Sequence, residues 1–211
     1  MGKTLSIRSR LVAVLGGMIA AASACTAVEA SDAESPEAAL RSATVTVAER
    51  CAGVVVEGAR HVVTAAHCVG GDEADLPLTL ADGTRRIAQV LVVDRARDMA
   101  ILGLAEAAPV RGLAIADSLP EPGAPLLFAG RADFGDPLQH VTVVRLGRCP
   151  SLPQVQNALF TSLRGIKGDS GAPIVDEHLR VVGLVHGGAQ CSIAAPTAAV
   201  PAMLDALVPS S

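Results

Sequence analysis

Short runs of β-branched and aliphatic residues dominate this chain from Ala43 to its C-terminus, and Gly, Asp and Pro separate them. Runs of this length and composition favour β-strands. They predict strands over 45–47, 54–56, 61–65, 87–93, 100–104, 126–129, 139–146, 158–162, 173–176, 181–186 and 197–200. Residues 201–207 begin with Pro and have helical spacing, which predicts a short C-terminal helix. So many short strands are typical of an all-β barrel or sandwich, and the pattern alone does not decide between them.

The composition limits how such a domain can be built and what it can bind. The chain has 211 residues, enough for one ordinary domain or a pair of small barrels. It contains three Phe and no Trp or Tyr, so Val, Leu, Ile and Ala must form the core. The formal net charge is −4, and there is no basic run or phosphate-binding loop. Nucleic-acid binding therefore has no support in the sequence.

The N-terminus has the features of an export signal over residues 1–24. Three positive residues precede an apolar stretch, namely Lys3, Arg8 and Arg10. The stretch covers residues 11–22 and is too short to span a bilayer comfortably. Small residues then allow cleavage after Ala24 or Ala30. Alternatively, the segment is a lipoprotein signal and Cys25 becomes the lipidated N-terminus, which would anchor the protein to a membrane at the cell surface.

The rest of the chain divides into a tether and a folded domain. Residues 25–42 are rich in Ala, Ser, Glu and Asp, which predicts a disordered tether. The domain would cover 43–211, with a first half over 43–110, a crossover rich in Pro and Gly, and a second half over 123–211. It contains four cysteines, enough for two disulfides, while Cys25 is left over. This cysteine usage fits a secreted or periplasmic protein.

Two short motifs and one acid carry the chemistry. The string TAAHC places His67 at the end of an apolar run, and GDSGAP places Ser170 in a turn between glycines. A serine hydroxyl is a poor nucleophile at neutral pH, so it needs a base, and the base needs a partner that orients it. Asp98 and Asp94 are the candidate partners. We favour Asp98 because an apolar strand follows it directly.

These motifs resemble those of the trypsin-like (chymotrypsin-fold) serine proteases. The matching strings are VVTAAHC at 62–68, DMAIL at 98–102, GDSGAP at 168–173 and GLVHGG at 183–188. The resemblance extends from about Cys51 to the C-terminus, and the order His, Asp, Ser separates this family from α/β-hydrolases and subtilisins. It implies two perpendicular six-stranded β-barrels, followed here by the short C-terminal helix. His67 and Asp98 would come from the first barrel and Ser170 from the second.

The resemblance also implies the role of each residue. Ser170 would attack the carbonyl carbon, His67 would take and return its proton, and Asp98 would orient the imidazole. The N–H groups of Gly168 and Ser170 would form the oxyanion hole. We therefore expect an exported, monomeric serine endopeptidase that acts on proteins or peptides, without a cofactor or metal, and that contacts a membrane only if Cys25 is lipidated. The alternatives are a catalytically silent surface or binding module on the same fold, and an esterase.

The family pattern implies one disulfide directly and leaves another atypical. A Cys51–Cys68 bridge would brace the loop that carries the histidine. In many relatives the cysteine corresponding to Cys191 pairs with one four residues before the serine, where this chain has Ile166. Cys149 is then the remaining partner, so the expected second bridge is Cys149–Cys191.

The residues expected to bind substrate are Arg164, Lys167, His186, Gly187 and Gly188. Relatives that cleave after Lys or Arg have an acid where Arg164 stands, and Arg164 and Lys167 would repel a basic side chain. Some glutamate-specific relatives use a histidine near the position of His186. We therefore predict a preference for an acidic residue before the cut bond. The alternative is that Arg164 points to solvent and the Gly-lined pocket accepts small or apolar residues.

Overall fold

Twelve β-strands and two α-helices form the described part of this computed structural model, residues 34–131, 138–150, 153–187 and 193–208. In chain order they are α1 (Pro36–Ala43), β1 (Thr44–Val47), β2 (Cys51–Val55), β3 (His61–Thr64), β4 (Asp75–Thr79), β5 (Arg85–Asp94), β6 (Met99–Leu104), β7 (Pro125–Phe128), β8 (Gln139–Gly147), β9 (Ala158–Thr161), β10 (Pro173–Val175), β11 (Val181–Val185), β12 (Ile193–Pro196) and α2 (Val200–Asp205). A 3₁₀ turn over Ala66–Cys68 follows β3. No helix in these ranges is long and apolar enough to cross a membrane.

The strands close into two antiparallel six-stranded barrels, which confirms the predicted fold class. The first barrel has the strand order β1-β2-β3-β6-β5-β4, and the second has the order β10-β11-β12-β9-β8-β7. Strand β2 is buried along its whole length because both of its faces are covered. Val55 faces the core of the first barrel, while Ala52 and Val54 pack into clusters shared with the second barrel.

The crossover segment fastens the two barrels together through its backbone. The Leu113 N–H donates to the Val55 carbonyl at 2.9 Å, and the Leu113 carbonyl accepts from Glu57 at 3.1 Å. Three residues further on, Ala116 donates to the carbonyl of Val181 in the second barrel at 3.0 Å. The crossover therefore adds short β-bridges to both barrels and fixes their separation.

The N-terminal part of the domain differs from the predicted tether. Residues 36–43 form helix α1, whose first turn is capped by the Ser35 hydroxyl, 3.2 Å from the Ala38 N–H. Leu40 is 0% exposed and packs in the core, which explains why the helix is held. Ala39 and Ala43 are buried on the same helix, and the low hydrophobicity of the segment gave no sign of this buried face. Residues 1–33, which include the predicted signal peptide and Cys25, lie outside the described residues.

One predicted strand lies elsewhere in the chain, and one observed strand was not predicted. The strand predicted over 197–200 lies instead over Ile193–Pro196, because the Thr197 hydroxyl turns back to the Val181 carbonyl and α2 then begins. Strand β4 was not predicted, since its sequence contains Asp75 and Pro77 and buries only alternate residues. The predicted C-terminal helix is confirmed as α2.

Candidate active site

His67 stands in the 3₁₀ turn that ends strand β3 in the first barrel. The adjacent Cys68 forms a disulfide with Cys51 of β2, with 6.0 Å between the Cα atoms, which confirms this predicted bridge. The His67 side chain is 40% exposed, whereas both cysteines are buried. The disulfide thus fixes the backbone of the turn while the imidazole stays open to solvent.

Asp98 lies in the turn between β5 and β6 and points at His67. Its oxygens are both 3.0 Å from His67 Nδ1, and one accepts from the His67 backbone N–H at 3.1 Å. The backbone of Asp98 has φ +55°, a left-handed conformation that Asp tolerates better than most residues. The alternative acid, Asp94, is instead paired with Arg97 Nη1 at 2.6 Å. Asp98 is therefore the acid that the fold delivers to His67.

The charge of Asp98 is strongly stabilised. The residue is 4% exposed, and burial by itself raises the pKa of its carboxyl group. Hydrogen bonds from His186 and His67, together with their charges, outweigh burial and lower the pKa to about 2. Asp98 is thus a carboxylate at neutral pH and only accepts hydrogen bonds. Each facing imidazole nitrogen must then carry its proton, which leaves Nε2 of His67 free to act as a base.

Ser170 reaches the same place from the second barrel through the turn before β10. The Ser170 carbonyl accepts from the Ala52 N–H at 2.7 Å, so the nucleophile's own backbone is bonded to the first barrel. Its hydroxyl donates to the His186 carbonyl at 3.2 Å. Across the described residues, no hydrogen bond joins the Ser170 hydroxyl to His67. Ser170 must therefore rotate about its side-chain bond to give its proton to that imidazole.

The turn before Ser170 is built around a glycine in the left-handed region. Gly168 has φ +108°, in a region that favours glycine, and it is buried. Within the described ranges, the N–H groups of Gly168 and Ser170 donate to no protein acceptor. Asp169 is buried, and its carboxylate accepts from the Ile166 N–H at 2.8 Å, which closes the turn. Two N–H groups are thus left for an oxygen of a ligand.

The five residues predicted to bind substrate divide into four cases. Arg164 and Lys167 are exposed and lie six and three residues before Ser170 in the sequence, and the Arg164 side chain makes no ion pair with a described residue. Gly187 adjoins the nucleophile, since a Cβ atom there would lie 3.3 Å from the Ser170 hydroxyl. His186, by contrast, turns its side chain to Asp98. Gly188 lies outside the described residues.

His186 was expected at the substrate, and its hydrogen bond with Asp98 was not foreseen. His186 Nδ1 is hydrogen-bonded to Asp98 Oδ2, and the imidazoles of His67 and His186 meet edge to face at 5.1 Å between centroids. The nitrogen and oxygen atoms of the three residues lie within 4.8 Å of one another, near enough to hold a metal ion. The hydrogen bonds already account for this convergence. The signal in the sequence was a histidine at the end of a predicted strand.

The second predicted disulfide is described at one end only. Cys149 is buried and disulfide-bonded. Cys191 lies outside the described residues, so the Cys149–Cys191 pairing stays a prediction.

The chain is similar to a known protein family in sequence and to solved structures in fold. The family of trypsin-like peptidase domains matches residues 51–184. An inactive form of a serine-to-alanine mutant of Rv3671c from Mycobacterium tuberculosis H37Rv is 21% identical, with a TM-score of 0.65, over 84% of this chain and 94% of that one. A serine endoprotease from Yersinia pestis is 20% identical, with a TM-score of 0.65, over 82% of this chain and 66% of that one. These two structures share the fold. No curated protein sequence matches the chain.

Proposed function

Because this chain belongs to the family of trypsin-like peptidases, we propose that it is a serine endopeptidase that cleaves proteins or peptides through an acyl-enzyme. The observation that carries the proposal is the contact of His67 Nδ1 with both oxygens of buried Asp98, 3.0 Å away. It fixes the tautomer in which Nε2 faces outward as a base. Ser170 stands on the facing turn of the second barrel, with its backbone bonded to β2.

Each group has one chemical task in this proposal. Ser170 Oγ attacks the carbonyl carbon while His67 Nε2 takes its proton and then gives it to the leaving amine. Asp98 holds the imidazole and stabilises its cation. The unpaired N–H groups of Gly168 and Ser170 receive the oxyanion, and losing such a donor typically costs roughly 3–4 kcal/mol in the transition state. Water then releases the acyl group by the same steps.

Labelling with a fluorophosphonate probe tests the nucleophile. The wild-type protein should be labelled covalently on Ser170, and Ser170→Ala should abolish labelling. Ser118→Ala is the matched control. Ser118 is exposed on the crossover segment, so its replacement should leave labelling of Ser170 unchanged. Absence of labelling in a folded wild-type protein would instead favour the silent binding module. Turnover of esters but not of peptide amides would favour the esterase.

The proposed substrate class rests on two exposed cations that precede Ser170 in the sequence. Arg164 and Lys167 are exposed cations, so we propose that an acidic residue precedes the cut bond. A peptide panel with Glu, Leu or Lys at that position should show the highest kcat/KM for Glu. Arg164→Ser should lower kcat/KM for the Glu peptide by about two- to fivefold, since an exposed ion pair is worth at most about 1 kcal/mol. Arg111→Ser on the crossover is the control, and a preference for Leu would contradict the proposal.

Export is the remaining part of the proposal. The Cys51–Cys68 disulfide indicates an oxidising compartment such as the periplasm or the cell exterior. Mass spectrometry of the mature N-terminus should find cleavage near Ala24. A lipid mass on Cys25 that disappears in Cys25→Ser would establish membrane anchoring, whereas a start after Ala24 or Ala30 without lipid would establish secretion. An uncleaved chain would overturn export.

A further inference from the structure

We propose that His186 is a positioning residue for Asp98, a second histidine that holds the carboxylate on which His67 depends, and not a substrate-binding residue. The inference rests on the proposed function. It comes from the hydrogen bond between His186 Nδ1 and Asp98 Oδ2. The main-chain carbonyl of His186 also accepts a hydrogen bond from the Ser170 hydroxyl at 3.2 Å. Residue 186 is thus hydrogen-bonded to two of the three proposed catalytic residues and packs against the third, His67.

The hydrogen bonds of Asp98 show what His186 contributes. Oδ1 accepts from the backbone N–H and from Nδ1 of His67. Oδ2 shares the His67 Nδ1 and is otherwise held by His186. Without His186, the buried Oδ2 would be left with the His67 Nδ1 proton alone, which it shares with Oδ1. A buried charge without enough hydrogen bonds destabilises the folded protein. The carboxylate would therefore rotate, or a water molecule would enter and bind to it. Either change would loosen the orientation of the His67 imidazole.

No other side chain within the described ranges replaces that donor. Arg95 lies in the same turn, but its guanidinium donates to the Ala66 carbonyl at 3.4 Å. Arg97 is occupied by Asp94. The groups that act on the Asp98 charge are the two histidines. His186 is therefore the second support of the carboxylate, with no back-up.

Burial and packing argue against a substrate-binding role for this imidazole. The His186 side chain is 14% exposed, and its Nδ1 is engaged by Asp98. Its ring packs edge to face against that of His67, with 5.1 Å between the centroids. Its main chain is also held, since the His186 N–H donates to the Ile193 carbonyl at 3.0 Å. Selection for an acidic substrate residue then falls to Arg164 and Lys167.

Two variants separate positioning from substrate binding. In His186→Asn the side-chain amide can place an N–H where Nδ1 now lies, whereas His186→Leu has similar bulk and no donor. We expect His186→Leu to lower kcat roughly 10- to 100-fold for every peptide in the panel, with KM nearly unchanged, as for a misplaced catalytic group. His186→Asn should recover most of the kcat that His186→Leu loses. A substrate-binding role would appear as a raised KM for the Glu peptide alone in both variants, which would overturn the proposal.

A spectroscopic measurement makes the test independent of turnover. Protons held between an imidazole and a carboxylate resonate far downfield of amide protons in NMR spectra. In the Ser170→Ala background, with EDTA present, two such signals are expected, one from each histidine. His186→Leu should remove one and shift or broaden that of His67, while His186→Asn should preserve the His67 signal. An unchanged His67 signal in His186→Leu would overturn the positioning role. This result holds whether or not the wild-type protein labels, so it is distinct from failure of the proposed function.

Discussion

At the residue scale, Asp98 keeps a negative charge in a nearly solvent-free position. Three N–H groups face its oxygens, namely the backbone and Nδ1 of His67 and Nδ1 of His186. They reverse the effect of burial and lower the pKa of the carboxyl group to about 2, against 3.8 as the ordinary value. Because the folded state binds this proton more weakly than the unfolded state, Asp98 adds stability at a pH above 3.8.

This contribution should be lost in acid. As pH falls from 3.8 to about 2, the unfolded state takes up a proton that the folded state resists. A shift of this size corresponds to about 2 kcal/mol. In denaturant titrations, the stability difference between wild type and Asp98→Asn should therefore shrink by about 2 kcal/mol between pH 5 and pH 2. Asp117→Asn, at an exposed position, is the control for general acid effects. An equal difference at both pH values would contradict the assignment.

At the scale of elements, the turn that carries Ser170 is shaped by contact with the first barrel. Gly171 has φ +83°, and a Cβ atom there would lie 2.2 Å from the Ala52 carbonyl oxygen and 2.5 Å from the Thr64 hydroxyl. Gly83 has the same φ of +83° in a surface turn, but nothing lies within 4 Å of its Cβ position. The two glycines thus share one backbone conformation and differ in their surroundings.

Alanine at these two positions should separate backbone strain from crowding. Gly83→Ala should cost about 1–2 kcal/mol, the penalty of the left-handed conformation alone. Gly171→Ala should cost more in denaturant titrations, since the carbonyl of Ala52 belongs to a strand and cannot move aside cheaply. It should also slow fluorophosphonate labelling, while Gly83→Ala should not. Equal costs for the two substitutions would show that the turn does not depend on this close approach.

The elements also show how far the sequence alone could reach. The strand pattern predicted an all-β domain, whereas the two barrels and the placement of His67 and Ser170 came from the resemblance of short motifs to those of the trypsin-like serine proteases. The contact of His186 with Asp98 was not predicted, because it joins residues from different barrels and depends on how these pack. Helix α1 was missed for a similar reason, since it is held by a small buried face, with Leu40 and Ala43 packed against a distant core. Tertiary packing decides such features, and composition does not record it.

At the scale of the whole molecule, the barrels share a core and do not merely touch. One buried cluster contains Val54, Val56, Val63 and Met99 from the first barrel together with Leu127, Val175, Val181 and Leu184 from the second. A second cluster places Ala52 of β2 among the core residues of the second barrel. The backbone bonds between Ser170 and Ala52 and along the crossover join the same surfaces. The proposed active site lies on this junction, so its geometry requires both barrels to be folded.

We therefore expect the two barrels to unfold in one transition. Leu78→Ala in the first barrel and Leu159→Ala in the second form a matched pair of fully buried sites. Each should cost about 2–5 kcal/mol. Because the chain has no Trp or Tyr, far-UV circular dichroism and hydrogen exchange resolved by peptide are the suitable readouts. Either substitution should lower the denaturant midpoint of peptides from both barrels equally. If Leu78→Ala increased hydrogen exchange only in first-barrel peptides while second-barrel peptides stayed protected, the shared core would not couple the two barrels. The turn that carries Ser170 would then stay folded while the barrel that carries His67 unfolds.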